Sequence, residues 1–148
     1  MCFAICPHVV YNRAMIEDET IYLTKTIESL HGAESEYING RYHNCANRCY
    51  YACFQAGVHA LTEAGITASG TRATWSYESL QGTFARELIT RRKVYPAEFR
   101  DVFARTYKLR QTADYTRDLV TEMQAARTLR RVRGFVEAVQ TQTEGEML

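Results

Sequence analysis

The segment from Arg41 to Ala64 carries apolar side chains on nearly every side of a helix, and it contains no proline. A helix that is apolar all round must be buried, so other helices have to surround it. Its small residues would let those neighbours approach closely: Ala46, Ala52, Ala56, Gly57 and Ala60. The segment is therefore predicted to be the central helix of a bundle.

Four further segments show the three- and four-residue apolar spacing of amphipathic helices, and strict alternation is rare. They cover residues 17–39, 76–90, 96–113 and 118–140. The boundaries are predicted from residues that end or begin helices: Gly40, Gly65, Ser76, Pro96 and Asp118. We expect an all-α fold, a four- to five-helix up-and-down bundle.

A chain of 148 residues suits one domain with a self-sufficient core. We assign residues 17–140 to the bundle, 1–16 to an N-terminal extension outside the fold, and 141–148 to a frayed tail. Met15 directly precedes the first periodic segment, so translation could start at Met1 or Met15. No basic residue precedes the apolar run of the first ten residues, and we expect neither a signal peptide nor a membrane span.

Three of the five cysteines, Cys45, Cys49 and Cys53, follow each other at four-residue steps and so lie along one face of the second helix. We interpret them as small apolar core residues, with redox or metal use as the alternative. Free buried thiols are typical of a reducing, cytoplasmic compartment. We expect no metal site and no cofactor.

Charge is unevenly distributed along the chain. Residues 1–70 have four Lys and Arg against seven Asp and Glu, a net charge of −3, whereas residues 71–148 have fourteen against ten, a net charge of +4. Arg127, Arg130 and Arg131 share one face of the fifth helix. Such a face either contacts phosphates or is simply solvated.

Residues 40–56 read GRYHNCANRCYYACFQA, and residues 109–115 read LRQTADY. The first stretch resembles the segment that opens the second helix of HEPN proteins, and the second resembles their L-R-x-x-A-D-Y motif. A weaker match, from Tyr22-Leu23 to Glu28-Ser29-Leu30, precedes both. In this order the motifs indicate a HEPN-like domain over about residues 17–140.

This resemblance implies a helical bundle that is usually a homodimer and is often encoded beside a small nucleotidyltransferase, with which it forms a toxin–antitoxin pair. Active members of the family are metal-independent ribonucleases. Their signature is an arginine, four to six other residues and then a histidine.

Cleaving RNA without a metal requires a base, an acid and a cation on the phosphate. None of the four histidines has an arginine five to seven positions before it. Where the resemblance implies histidine, Tyr115 follows Arg110 and Gln55 follows Arg48. A phenol is a poor base at neutral pH and an amide cannot exchange a proton usefully. If the chain cleaves RNA, Arg110 and Tyr115 are its candidate catalytic residues.

The candidate ligand-binding residues are Arg48, Gln55, Arg110, Gln111, Asp114 and Tyr115. Arg110 could bind a phosphate through two hydrogen bonds, and Tyr115 could stack on a base. Alternatively, Arg110 and Asp114 form only an intrahelical ion pair. Because Arg48 would be costly to bury alone, we predict that it joins Arg110, Asp114 and Tyr115 in one polar cluster between the second and fourth helices.

Three hypotheses follow for function. The first is a dimer that partners a nucleotidyltransferase and binds nucleotide or RNA without efficient nuclease activity. The second is a toxin endoribonuclease that acts through Arg110. The third is a helical dimerisation module without any role in nucleic-acid binding.

Overall fold

The computed structural model describes residues 7–68 and 74–146, with side chains described from Thr20 onward. Its helices are α1 (Pro7–Ile38), α2 (Tyr42–Glu63), α3 (Tyr77–Thr83), α4 (Arg100–Tyr115) and α5 (Glu122–Glu146). The described residues form no strand. The predicted all-α class is therefore confirmed.

Two helices extend further than predicted. α1 begins at Pro7 and not at residue 17, while residues 1–6 lie outside the described residues. α5 continues to Glu146, and Thr143 in its last turns lies 3.0 Å from the buried imidazole of His59. That residues 1–16 lie outside the bundle stays a prediction.

The third helix changes its winding along its length. α3 continues without a break into a π-helix, Phe84–Arg91. This π-helix buries Phe84 together with Leu88 and Ile89, which lie four and five residues after it. This spacing suits i→i+5 bonding, which keeps their side chains on one inward face.

Glycines end the first two helices, as predicted. Gly40 and Gly65 have φ of 73° and 75°, the left-handed conformation that glycine adopts without steric cost. Arg92 supports the second of these ends by donating to the carbonyl oxygen of Ala64 at 2.9 Å. A basic side chain thus lies at the negative end of the α2 dipole.

The helix starts follow the expected chemistry only in part. Contrary to the prediction, Pro96 is not in the first turn of α4 but precedes a 3-10 helix, Ala97–Phe99, that leads into α4. Ser76 caps α3 through the backbone N–H of Ser79, as predicted. The prediction that Asp118 caps α5 is wrong. Thr121 does so, because its hydroxyl accepts from the Gln124 N–H at 3.2 Å and the Gln124 amide accepts from the Thr121 N–H at 3.0 Å. This reciprocal pair satisfies two backbone donors, which a single carboxylate cannot do.

The central position of α2 is confirmed, since it packs against α1, α4 and α5. Asn47 near the start of α2 bonds to Asp114 near the end of α4, so these two helices run antiparallel. His59 and Thr143, each near the end of its helix, are in contact, so α2 and α5 run in the same direction. The turn at residues 39–41 makes α1 antiparallel to α2.

Cys45, Cys49 and Cys53 are free and buried, which confirms that the three thiols pack in the core. Burial raises the pKa of Cys53 to about 12. A thiol with so high a pKa stays protonated at neutral pH and is a weak nucleophile.

An aromatic group fills the other side of the core. Phe135 of α5 is completely buried, and its ring centre lies 5.4 Å from that of Phe84, 5.3 Å from that of Phe99 and 5.4 Å from that of Phe103. Separations of this kind are those of favourable edge-to-face and tilted ring pairs. Phe135 therefore links α5 to the π-helix, the turn before α4, and α4.

Tyr95 packs beside this group, with its ring centre 5.2 Å from that of Phe84. Its hydroxyl is buried and has no hydrogen-bond partner among the described residues. Burial raises the pKa of Tyr95, and the negative charges of Glu63 and Glu146 add to this effect. The hydroxyl is thus held in its neutral form at a cost in free energy.

We expect Tyr95→Phe to raise the free energy of unfolding by about 1 kcal/mol, because an unsatisfied buried hydroxyl is removed. Chemical denaturation at pH 7 measures this, with half-buried Tyr42→Phe as the control. When folding raises the pKa of a tyrosine, its protonation contributes fully to the stability of the folded state below the pKa of the unfolded chain, about 10. This contribution is lost as the pH rises above that value. The advantage of the variant should therefore grow above pH 10, and a destabilised variant at pH 7 would contradict the argument.

Candidate functional site

Arg110 of α4 lies across two aromatic rings of α2. Its guanidinium carbon is 4.3 Å from the ring centre of Tyr50 and 5.4 Å from that of Tyr51. Both distances are within the range of a cation–π contact. The Arg110 side chain is 19% exposed, so solvent still reaches its charge.

Asp114 fixes the arginine from one side. Its carboxylate accepts from Nε of Arg110 at 3.3 Å and from the Asn47 side-chain amide at 2.9 Å. The first contact is the intrahelical pair predicted from the sequence, and the second ties the end of α4 to α2. With Nε directed at Asp114, the guanidinium keeps donors for a further anion.

The aromatic support under Arg110 is itself packed. Tyr50 is buried, and its ring centre lies 6.3 Å from those of Tyr77 and Tyr107. Tyr77 and Tyr107 stack on each other at 4.1 Å. A side chain that rests on such a group loses little further freedom when it binds a ligand.

The charge of Arg110 is secure over the whole pH range of interest. Burial alone would lower the pKa of Arg110, but the phenols of Tyr51, Tyr50 and Tyr115 and the bond to Asp114 raise it above its ordinary value. The site therefore presents a permanent cation. Burial also raises the pKa of Tyr50, which keeps this phenol neutral.

Tyr115 is the last residue of α4 and is 67% exposed. Gln111, one residue after Arg110, is half-buried. We call Asn47, Tyr50, Tyr51, Arg110, Asp114 and Tyr115 the Arg110 cluster. It lies where the end of α4 meets the first half of α2.

The prediction that Arg48 joins this cluster is wrong, because its side chain points to α1. Arg48 is exposed, its Cδ is 3.5 Å from the position that a Cβ on Gly32 would take, and its charge contributes, after Arg41, to lowering the pKa of Glu36. Asn47, one residue earlier, faces Asp114 instead. Adjacent helical residues point about 100° apart, which the motif alone does not resolve.

Gln55 also faces α1. Its amide lies 2.9 Å from the Ser29 hydroxyl, and with the amide nitrogen on that side it also donates to the carbonyl oxygen of Lys25 at 2.9 Å. Gln55 thus bridges α2 to α1. Of the six candidate ligand-binding residues, the structure brings together Arg110, Asp114 and Tyr115.

Asn47, Tyr50 and Tyr51 were missed as site residues. Tyr50 and Tyr51 belong to the same HEPN-like motif as Arg48. Because aromatic rings often bind cations, this adjacent pair could have been recognised as a possible support for an arginine. Nothing in the sequence indicated Asn47, because a short amide on a helix has no preferred partner.

The Arg110 cluster contains none of the described histidines. His31 is exposed on α1, and His43 lines a separate cavity beside Leu119. His59 is buried next to Glu63. Among the described residues, no three His, Cys, Asp or Glu side chains converge as metal ligands. The cluster thus provides a cation, exposed aromatic surface and hydrogen-bond donors, a set suited to holding a phosphate.

Within the described part of the chain, no helix combines the length and low charge needed to cross a membrane. Helices packed around α2, with Arg110 resting on Tyr50 and Tyr51, define a small all-α domain. The family model of the HEPN domain matches residues 20–142, and the chain belongs to the HEPN family. The resemblance noted in the motifs is thereby confirmed. No curated protein matches the chain.

Proposed function

We propose that the protein is a nucleotide- or RNA-binding HEPN domain that receives a phosphate at Arg110 and lacks efficient nuclease activity. It acts as a homodimer and partners a nucleotidyltransferase in a toxin–antitoxin-type module. The observation that carries the binding site is the position of Arg110, which lies over Tyr50 and Tyr51 while its guanidinium stays open to solvent.

The ion pair of Arg110 with Asp114 leaves the arginine free to bind a phosphate as well. Its pair with Asp114 uses Nε at 3.3 Å, a longer contact than a strong charge-assisted bond. A phosphate oxygen can take the terminal nitrogens without breaking the Asn47–Asp114 bond at 2.9 Å. Exposed Tyr115 and Tyr51 offer surface on which a base can stack.

The lack of efficient cleavage follows from the groups around Arg110. An imidazole would serve as both base and acid near neutral pH, but the position after four intervening residues holds Tyr115. Phenols in general are much weaker bases than imidazoles near neutral pH. Arg110 then binds and orients a phosphate, but no neighbouring side chain transfers the protons that cleavage of RNA requires.

Dimer formation is supported by apolar residues that the monomer leaves uncovered. Ile38, Leu119 and Met123 are large and mostly exposed, and Leu119 is 75% exposed. A bond between Tyr37 and Glu122, neighbours of Ile38 and Met123, brings the end of α1 to the start of α5. The nucleotidyltransferase partner is proposed from the family alone, and a neighbouring reading frame for such a protein would support it.

Arg110→Ala is expected to weaken the binding of AMP and of ATP about ten- to a hundredfold, because one charge-assisted contact of about 1.5–3 kcal/mol is lost. Isothermal titration calorimetry on the full chain measures this. Arg110→Lys keeps the charge but not the planar donor pair, so it should recover only part of the affinity.

The matched control is Arg91→Ala, which removes an arginine from another intrahelical pair, with Glu87 at 3.0 Å. Its affinity for AMP should equal that of the wild type. Sedimentation equilibrium in the same buffer shows whether each variant forms an oligomer of the same mass as the wild type. Equal binding by Arg110→Ala and wild type would refute the site, and Arg110-dependent cleavage of RNA would establish the endoribonuclease instead.

A further inference from the structure

A groove runs between α4 and α5, away from the Arg110 cluster. It consists of two adjoining cavities of about 370 Å³ and 260 Å³. Arg105 of α4 and Arg131 of α5 line both cavities. The two cavities therefore adjoin at these two arginines, one on each helix.

Basic side chains dominate this groove. Lys108 and Arg127 line the smaller cavity and Arg130 lines the larger one, in addition to the shared pair. All five cations are exposed. Across the described part of the chain, none of them forms an ion pair with a carboxylate, in contrast to Arg110 with Asp114. Like charges so close together repel each other, and a bound polyanion would relieve this repulsion.

The cations occupy successive levels along the groove. Arg105 and Lys108 are three residues apart, about 4.5 Å along the helix axis, and Arg127 and Arg131 are four apart, about 6 Å. A ligand with repeated negative charges can contact both levels on both walls. A single small anion can contact only one level.

The remaining lining indicates which polyanion fits. In the smaller cavity it is polar apart from buried Leu109, with Thr112, Gln124 and Thr128. This cavity offers no aromatic or large apolar pocket to anchor a peptide side chain, as protein interfaces usually require. Hydroxyls, an amide and arginine forks are suited to a sugar-phosphate backbone. The larger cavity also has Glu98 and Asp101, which would repel phosphates from that end.

The groove is separate from the site already described. On α4, Arg105 and Lys108 point about 140–160° away from Arg110, given about 100° per residue. One helix thus presents cations on two nearly opposite sides. Binding at the groove and binding at Arg110 can therefore be removed independently.

We propose that the groove between α4 and α5 binds the sugar-phosphate backbone of RNA, through Arg105 and Arg131 at its centre and Lys108 and Arg127 at one end. The smaller cavity contacts the phosphate chain and not the bases, because its lining contains no aromatic ring. The ring in the lining of the larger cavity, Phe99, is packed into the core and presents no open face for stacking. The groove would be a second binding surface beside the Arg110 cluster. This proposal rests on the proposed function only for the class of ligand, nucleic acid.

The test is fluorescence anisotropy of a labelled single-stranded RNA oligonucleotide, titrated with full-length protein at several salt concentrations. Arg105→Gln/Arg131→Gln should weaken binding about tenfold at 0.15 M salt and reduce the salt slope by about 1.4, or 0.7 for each lost phosphate contact. Both residues are exposed, so the double variant should keep the wild-type melting temperature.

Arg86→Gln/Arg91→Gln removes two exposed arginines outside the groove and is the control for net charge. The proposal is overturned if both double variants bind RNA alike, if the wild type does not bind it, or if polyglutamate binds with the same dependence on Arg105 and Arg131. RNA binding that is lost only in Arg110→Ala would refute the groove and leave the proposed function intact. The reverse result would refute the Arg110 site alone.

Discussion

Replacement of Phe135 by alanine is expected to lower the free energy of unfolding by about 3–5 kcal/mol. The ring is fully buried and contacts Phe84, Phe99 and Phe103 at 5.3–5.4 Å between ring centres. These rings come from separate segments, so the cavity left by Phe135 cannot be closed by moving one side chain. Since the free energy of unfolding of a typical domain is only about 5–15 kcal/mol, this substitution removes a large share of the stability of the protein.

Urea denaturation followed by circular dichroism measures the effect, provided that the variant is folded without urea. Phe135→Leu keeps most of the volume and should cost less than about 1.5 kcal/mol. Glu137→Ala, at an exposed position of the same helix, should change stability by no more than about 0.5 kcal/mol. If Phe135→Ala were no worse than Glu137→Ala, the aromatic group would not be the centre of the core.

Gly57→Ala is expected to lower the free energy of unfolding by about 1 kcal/mol, although alanine normally stabilises a helix relative to glycine by about 1 kcal/mol. A Cβ on Gly57 would lie 2.9 Å from two ring atoms of Phe103 and 3.4 Å from Leu80. Phe103 is buried in the aromatic group and cannot turn aside. Overpacking of about 1–3 kcal/mol therefore outweighs the gain in helix propensity.

Gly134→Ala provides the matched control, since Gly134 lies inside α5 and a Cβ there meets nothing within 4 Å. This variant should gain about 0.5–1 kcal/mol. Thermal melts of the two variants should thus shift in opposite directions. A shift in the same direction would mean that α2 and α4 are not in close contact at Gly57.

The helices could be predicted from the sequence because their signals are local. Apolar spacing located all five, and Gly40 and Gly65 ended two of them at the right positions. Asp118 failed as a cap since Thr121 and Gln124 compete for the same backbone donors three residues later. The π-helix after Thr83 had no local signal.

The candidate site was only partly predictable. The i, i+4 spacing of Arg110 and Asp114 predicted their pair, which depends on one helix alone. Arg48 and Asn47 are neighbours in the sequence, and only the rotation of α2 against α1 and α4 decided which of them faces Asp114. Motif position alone therefore gave the wrong residue.

The sequence by itself determined that this chain is all-helical, that α2 is its centre, and that it resembles HEPN proteins, because periodicity and ordered motifs are properties of single segments. Only the tertiary structure decided that Arg110 lies over Tyr50 and Tyr51, and that Arg105 and Arg131 face each other across a groove. These contacts join residues that are about 25 to 60 positions apart. Such pairs depend on how helices rotate and pack, which no local pattern specifies.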